Sequence, residues 1–378
     1  MGSLFQTVPI IAHGYGAFEE LGVQVAALGG RALVVTGRRA MREQGFVDRA
    51  LAQCAAAGVE ADVHEGVPPE PTVANVDEVR AHALDHRAEV LVGLGGGSAL
   101  DVAKATAGLL LESEPTAAFL HGAPLSGARA SFVGVPSTFG TGTEATPNAV
   151  LIDPDAGVKK SIRHPSLLAR VAVVDPELGL AAPPKVKAES GMDAFTQAIE
   201  GFYSRHSTSI TESLSFGAAA LLAADLEAFV CGEPGALRSA AENVATASLM
   251  AGQAFANARL GVVHGLVHPL GVRTGLPHGR LCGILLPYAL RYNRDAAPEP
   301  YALLCGIVKR DIADFCQDLL KALGLPTDLA DLGLTRDDLA AIAREALPSG
   351  STRANPRAAT PGDLEALLAT ACGLPETA

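Results

Sequence analysis

Tryptophan is absent from this 378-residue chain, and aromatic residues amount to only 4% of it. With so few rings, the core has to be assembled from Ala, Leu, Val and Ile, which suits helix packed on helix and helix packed on sheet. Hydrophobic residues reach 48%, enough for a large core, and the length suits two domains better than one. Paired cysteines are also lacking. Cys54, Cys231, Cys282, Cys305, Cys316 and Cys372 are scattered, with no CxxC among them. They stand mostly in apolar helical contexts such as LEAFVCG and LLCGIV, and are expected to be buried free thiols in a reducing compartment.

Positive charge is in deficit. Lys and Arg number 29 against 41 Asp and Glu, for a net charge of −12, and no long basic run occurs. That excludes nucleic-acid binding as the default role. The opening MGSLFQTVPI has neither a basic region nor a long apolar stretch, so no signal peptide is expected. Gly2 is followed by Gln6 where an acylation motif needs Ser or Thr. No segment comes near the charge-free apolar length of a membrane-spanning helix. The expectation is a cytoplasmic protein with neither a membrane nor a nucleic-acid partner.

The first half of the chain alternates. RALVVTG (31–37) is β-rich, GFVDRALAQCAAAG (45–58) has a helical pattern, and EADVHEG (60–66) is strand-like. TVANVDEVRAHALDHR (72–87) is helical again, and AEVLVGLGGGS (88–98) is a buried strand that runs into glycines. ALDVAKATAGLLL (99–111) is a helix, SFVGVPST (131–138) a strand, NAVLIDPDAGVKKSIRH (148–164) a hairpin, and ARVAVVDPEL (169–178) a last strand. This rhythm predicts a parallel sheet with helical crossovers. From about residue 186 the patterns are almost all helical, and PSGSTRANPRAATPGD (348–363) reads as a loop between late helices. The expected division is an α/β domain over 1–183 and an all-helical domain over 184–378.

Three segments carry chemistry. GLGGGSALDVAK (93–104) places Gly95, Gly96, Gly97 and Ser98 between a strand and a helix N-terminus. Bare backbone lets a pyrophosphate approach, and the unpaired N–H groups and positive helix end hold it. VPSTFGTGTEATPNAV (135–150) is a second small-residue loop, where Thr138, Thr141 and Thr143 offer hydroxyls and Gly140 and Gly142 bare backbone to a cofactor; taken alone, a solvated loop is the better account of it. In ESGMDAFTQAIEGFY, Asp193, Gln197 and Glu200 share a helical stripe that faces either a cleft or solvent. GVVHGLVHPLGVRTGLPHG (261–279) holds three of the chain's ten histidines. His264 and His268 share a helix face, while His278 starts the next helix.

Taken together, GLGGGSALDVAKA, PSTFGTGTEAT, MDAFTQAIEGFYS and HGLVHPLGVRTGLPHG resemble the iron-containing, or group III, alcohol dehydrogenases, of which maleylacetate reductases are relatives. The likeness spans nearly the whole chain. It implies a dinucleotide-binding α/β domain with a parallel sheet, followed by an all-α domain, in a dehydroquinate-synthase-like architecture. It further implies interconversion of alcohols with aldehydes or ketones by hydride transfer from NAD or NADP in the interdomain cleft. A small carbonyl or alcohol substrate and a homodimer are the expected partners. The cofactor set carried over is Gly37, Arg38, Gly95, Gly96, Gly97, Ser98, Asp101, Thr138, Thr141 and Lys160. NAD-preferring relatives have an Asp after the strand matching ALVVT. Here Gly37 is followed by Arg38 and Arg39, which removes the repulsion of a 2′-phosphate and favours NADP.

The metal ligands implied are Asp193, position 197, His264 and His278, with His268 an active-site histidine that does not ligate. Position 197 is Gln where the family has His, and a neutral amide oxygen is a poor ligand for Fe²⁺ or Zn²⁺. Two readings stay open. One is a weakened metal site. The other is hydride transfer with no metal, in which a protonated His268 or His264 faces the developing alkoxide. A non-redox lyase related to dehydroquinate synthase, using Arg273 and Arg280 for an anionic substrate, and a non-catalytic binder are the competing functions.

Overall fold

The computed structural model describes residues 4–127 and 130–375, so Gly2 and the first residues read for targeting signals lie outside the described residues. The chain forms two compact units. One comprises residues 7–138 and 142–182; the other comprises the residues up to Gln6, the segment 139–141, and everything from Pro183 onward.

The first unit is a parallel sheet of six strands with a separate hairpin. The sheet strands are β1 (Ile10–His13), β2 (Arg31–Gly37), β3 (Glu60–Val67), β4 (Val90–Gly95), β5 (Ser131–Pro136) and β8 (Val171–Val174). Between the last two, β6 (Asn148–Asp153) and β7 (Val158–Arg163) form the antiparallel hairpin. The sheet order is β1-β8-β5-β4-β2-β3, and the pairs are parallel. Strand β4 is buried along its whole length, as are most residues of β2, β5 and β8. A parallel sheet covered on both faces needs continuous apolar runs, which is why VLVGLG and ALVVT show no polar alternation. Strand β1 has only four residues, two of them exposed, and so left no such signature in the sequence.

Leu21, Val25, Val47 and Ala50 belong to one buried cluster with Val34, Val92, Val133 and Val173. The Gly97–Leu109 helix packs against β2, β4 and β5, closely enough that a Cβ on Gly93 would lie 3.0 Å from Leu100 Cα and 3.1 Å from Ala103 Cβ. Small residues in both elements are the condition for that approach. The chain pairs β3 outside β2, then returns to place β4 on β2's other side. The strand order therefore reverses between β2 and β4, and their carboxyl ends border the crevice where open α/β sheets bind ligands.

The second unit is helical. Helices Pro184–Tyr203, Ser209–Cys231 and Pro234–Ala258 pack on one another, and Val262–Thr274 and His278–Asn293 follow. The sequence reading of no span-like segment needs correction: Ser209–Cys231 is long and apolar enough to cross a membrane by length and composition, with mean hydropathy 1.7. Its acidic residues, Glu212, Asp225 and Glu227, lie near its ends and leave an apolar middle. Within this unit it is a packing helix, with Ala218, Leu222, Leu226 and Phe229 buried, and a Cβ on Gly191 would fall 2.1 Å from Leu226 Cδ1. The 348–363 stretch is likewise not all loop. Gly350–Ala354 is a short helix capped by the Ser349 side chain, and Pro361–Ala371 begins within the stretch.

Candidate functional site

The crevice at the strand ends is formed by three turns. Thr36 on β2 pairs with Leu94 on β4, so the Gly37 and Gly95 turns lie side by side. Gly95 has φ +146°, a backbone that side-chain-bearing residues rarely adopt, and a Cβ there would stand 3.3 Å from Ala99 Cβ. Gly96 caps the Gly97–Leu109 helix, and a Cβ on it would lie 3.6 Å from Thr138 Oγ1, across from the turn after β5. The Ser137 N–H donates to Gly95 O at 2.8 Å, tying that turn to the glycine loop. Gly96, Gly97 and Ser98 remain partly exposed at the helix N-terminus, open to an anion. Thr138 belongs to this unit, and Thr141 to the helical unit.

The second loop is not solvated. Thr143, Glu144 and Thr146 are buried, and the carbonyls of Thr143, Thr146 and Asn148 accept from the buried Lys104 ammonium, the last two at 2.8 and 2.9 Å. Burial lowers Lys104 to about 8 and lifts nearby Asp101 to about 6, each opposed by the other's charge. Asp101 Oδ1 is buried with no hydrogen-bond partner. The structure also separates two adjacent lysines. Lys159 lies within the electrostatic reach of Asp101 and is ion-paired with Glu70, whereas Lys160 is exposed on β7 opposite Leu151. Successive strand residues face opposite sides, so Lys159 and Lys160 are directed to different faces of the hairpin.

The histidine centre lies within the helical unit. Asp193, Gln197 and Glu200 are all buried, at 3, 3 and 4% exposure, which rules out a solvent-facing stripe. Helix Val262–Thr274 brings His264 to them, and the αL residue Gly275 (φ +66°) reverses the chain so that His278 starts the next helix. His264 Nε2 is 3.3 Å from Asp193 Oδ1, and His278 Nε2 is 3.8 Å from the same oxygen. The His268 and His278 rings are 5.3 Å apart, and both residues are half-buried. Gln197 Oε1 is buried with no hydrogen-bond partner.

Two further residues complete the centre. Glu200 Oε2 is 2.7 Å from His264 Nδ1, and Glu200 Oε1 accepts from the Val263 N–H at 2.7 Å, in the first turn of the histidine helix. Cys282 Sγ is 3.8 Å from His264 Nε2. The expectation of six buried thiols holds for Cys54, Cys282, Cys316 and Cys372, whereas Cys231 is exposed and Cys305 half-buried, and nothing in that expectation singled out Cys282. It is buried and free, but it stands at this centre, and its only sequence signal is the four-residue step from His278. Donor atoms of Asp193, His264, His278 and Cys282 all lie within 4.8 Å of one another.

The charges fit a cation. Burial alone would raise the Asp193 carboxyl, but His278 and His264 hold it below the usual carboxylate range. Burial likewise opposes a proton on His264, yet Cys282, Asp193 and Glu200 together hold its pKa well above the ordinary value. When the Nδ1–H of a neutral His264 donates to Glu200, the Nε2 lone pair points at the Asp193 carboxylate oxygen 3.3 Å away. Two acceptors at that separation need a proton or a metal ion between them, and a carboxylate–histidine pair is the usual support of a metal ligand. The residues present therefore fit a divalent metal. Arg273 and Arg280, read as candidates for an anionic group, are ion-paired with Glu345 and Glu189.

The comparisons with known proteins agree along the chain. The family described as iron-containing alcohol dehydrogenase matches residues 9–176, and its C-terminal counterpart, Fe-containing alcohol dehydrogenase family, matches 187–372. Lactaldehyde reductase of Escherichia coli K12 is 31% identical over 357 residues, covering 90% of this chain and 92% of its own. The structure of an alcohol dehydrogenase from Oenococcus oeni superposes with TM-score 0.93 at 29% identity, over 98% of this chain and 100% of that one. A sulfoacetaldehyde reductase from Bifidobacterium kashiwanohense, solved in complex with NAD⁺, gives TM-score 0.91 at 30% identity, over 98 and 99% of the two chains.

Proposed function

Because the chain belongs to the iron-containing alcohol dehydrogenase family, we propose that it is an NAD(P)-dependent oxidoreductase that reduces an aldehyde or ketone to the alcohol, and runs the reverse when alcohol is in excess. The observation that carries this reading is the convergence of Asp193, His264 and His278 beneath the Glu200 carboxylate. The Gly95–Ser98 turn at the reversal of strand order supplies the place for the dinucleotide pyrophosphate.

A hydride leaves nicotinamide C4 with two electrons and forms the C–H bond at the carbonyl carbon. The C=O π pair moves to oxygen, which takes a proton, and NAD(P)⁺ remains. Asp193, His264 and His278 would hold a divalent metal, which would supply Lewis acidity at the carbonyl oxygen. Glu200 keeps the Nδ1 proton of His264, so that its Nε2 is a donor. Both nitrogens of His264 are thereby engaged, which leaves the proton transfer to His268, half-buried beside His278.

The 2′ side of the cofactor favours NADP. Gly37 ends β2 and brings no carboxylate of its own to repel a phosphate; Arg38 and Arg39 follow it exposed, and because Arg39 lies 3.6 Å from Glu43 the reading leans on Gly37 and Arg38. The related sulfoacetaldehyde reductase was solved with NAD⁺, so support for NADP comes from this chain's own residues at 37–39 alone. The lyase reading loses support because Arg273 and Arg280 are neutralised by glutamates.

The test is to follow nicotinamide absorbance with purified protein, NADPH or NADH, and a panel of short aldehydes and ketones. Carbonyl-dependent oxidation that is faster with low NADPH than with low NADH supports the reading. No carbonyl-dependent oxidation with either coenzyme overturns it, and preference for NADH overturns the coenzyme assignment alone.

A further inference from the structure

We propose that Cys282 provides the fourth metal donor of this centre, as a thiolate, taking over the part that an imidazole at position 197 would play, and that the site consequently selects Zn²⁺ over Fe²⁺. The proposal rests on the reading of Asp193, His264 and His278 as metal ligands.

Geometry comes first. A tetrahedral ion with bonds of about 2.0–2.3 Å to N, O and S donors has donor–donor edges of roughly 3.3–3.8 Å. The edges seen here are 3.3 Å for His264 Nε2 to Asp193 Oδ1, 3.8 Å for His278 Nε2 to Asp193 Oδ1, and 3.8 Å for Cys282 Sγ to His264 Nε2. These three edges link all four residues, and no pair of donor atoms exceeds 4.8 Å. The spacing along the chain agrees. A donor pair one helical turn apart, which positions 193 and 197 would offer with His at the second, recurs at His278 and Cys282 on the His278–Asn293 helix.

Chemistry points the same way. Gln197 carries a neutral amide oxygen, buried and unpartnered, which is a weak donor for either metal. A thiolate brings charge and softness. Asp193 and Cys282 together balance a dipositive ion, and a mixed S, N and O set in tetrahedral disposition suits zinc. A thiol at such a site gives up its proton when the ion binds.

The experiment is titration of chelator-stripped protein with Co²⁺ as a spectroscopic stand-in for zinc. The expected result is intense near-ultraviolet thiolate-to-cobalt charge transfer in the unmodified protein. Cys282→Ala should lose that band and bind Co²⁺ and Zn²⁺ on the order of 100-fold more weakly, as expected when one of four donors is removed. Cys282→Ala combined with Gln197→His should recover affinity without the band, which separates loss of a ligand from a damaged fold. Protein produced with equal zinc and iron should carry mainly zinc. Co²⁺ binding without the band, or unchanged affinity in Cys282→Ala, overturns the thiolate ligand while leaving the metal reading intact. Absence of any Co²⁺ or Zn²⁺ binding by the unmodified protein overturns both.

Discussion

Glu200 holds His264 at two points. Its Oε2 is 2.7 Å from the ring Nδ1 and 3.4 Å from the His264 backbone nitrogen, while Oε1 receives the Val263 N–H. One carboxylate thus orients the imidazole and also meets the first-turn amides of the helix that carries it.

Replacing that carboxylate should act through His264. Glu200→Gln preserves shape and removes the charge, so if the centre holds a metal the protein should stay folded but bind a divalent ion about 10–100-fold more weakly. Equilibrium dialysis with zinc, alongside far-UV circular dichroism, measures both. Unaltered zinc affinity would show that the carboxylate serves only the helix end.

Coenzyme choice should be reversible at Gly37. A Cβ there would meet nothing nearer than Val67 O at 3.9 Å, so Gly37→Asp introduces no clash in the strand. The new carboxylate should accept the ribose hydroxyls and repel a 2′-phosphate, raising KM for NADPH and lowering it for NADH. Initial rates at limiting coenzyme give the ratio.

The glycine loop permits a graded test. Gly96 has φ −75°, and a Cβ on it would meet Thr138 side-chain atoms at 3.6 and 3.7 Å, ordinary contacts. Gly96→Ala should therefore fold normally, while Gly96→Val crowds the path of a pyrophosphate further. Coenzyme affinity, followed by fluorescence titration, should fall in the order Gly, Ala, Val, with helical content unchanged. Equal affinity in all three would reduce the loop to a turn.

Helix contact at the centre is tight at Gly279. A Cβ there would stand 2.2 Å from Glu189 O, a backbone atom that cannot yield without separating the two helices that carry Asp193 and His278. Gly279→Ala should cost about 1–3 kcal/mol in denaturant unfolding and also weaken zinc binding. Gly306, where nothing lies within 4 Å, is the control: Gly306→Ala should be neutral or stabilising by about 0.5–1 kcal/mol.

Glu144 should make stability depend on pH. Burial lifts its carboxyl from the ordinary 4.5 to about 7, against the pull of its own backbone amide and Lys104. The folded protein holds this proton more tightly than the unfolded chain. The group's contribution is therefore fully present below the unfolded value and is lost as pH rises through the folded one. Glu144→Gln mimics the protonated form. Its Tm relative to the unmodified protein should be near zero at about pH 5 and positive by roughly 2–4 °C at about pH 8, the shift that ~1 kcal/mol makes in a domain of this size. A difference that does not change with pH would contradict the assignment.

The chain by itself determined the local elements and the family. Strands β2, β4 and β5 are continuous apolar runs because they are covered on both faces, and the glycines after β4 mark a strand-to-helix turn; both are signals carried within a few residues. Tertiary structure decided what depends on distant packing. Glu200 and His264 are 64 positions apart and Cys282 is 18 beyond His264, so no periodicity links them, and only the packing of three helices sets one thiol among six beside the histidines. The same holds for charge. Sequence could not tell that Arg273 and Arg280 are spent on Glu345 and Glu189, because ion pairing depends on which side chains packing brings within reach.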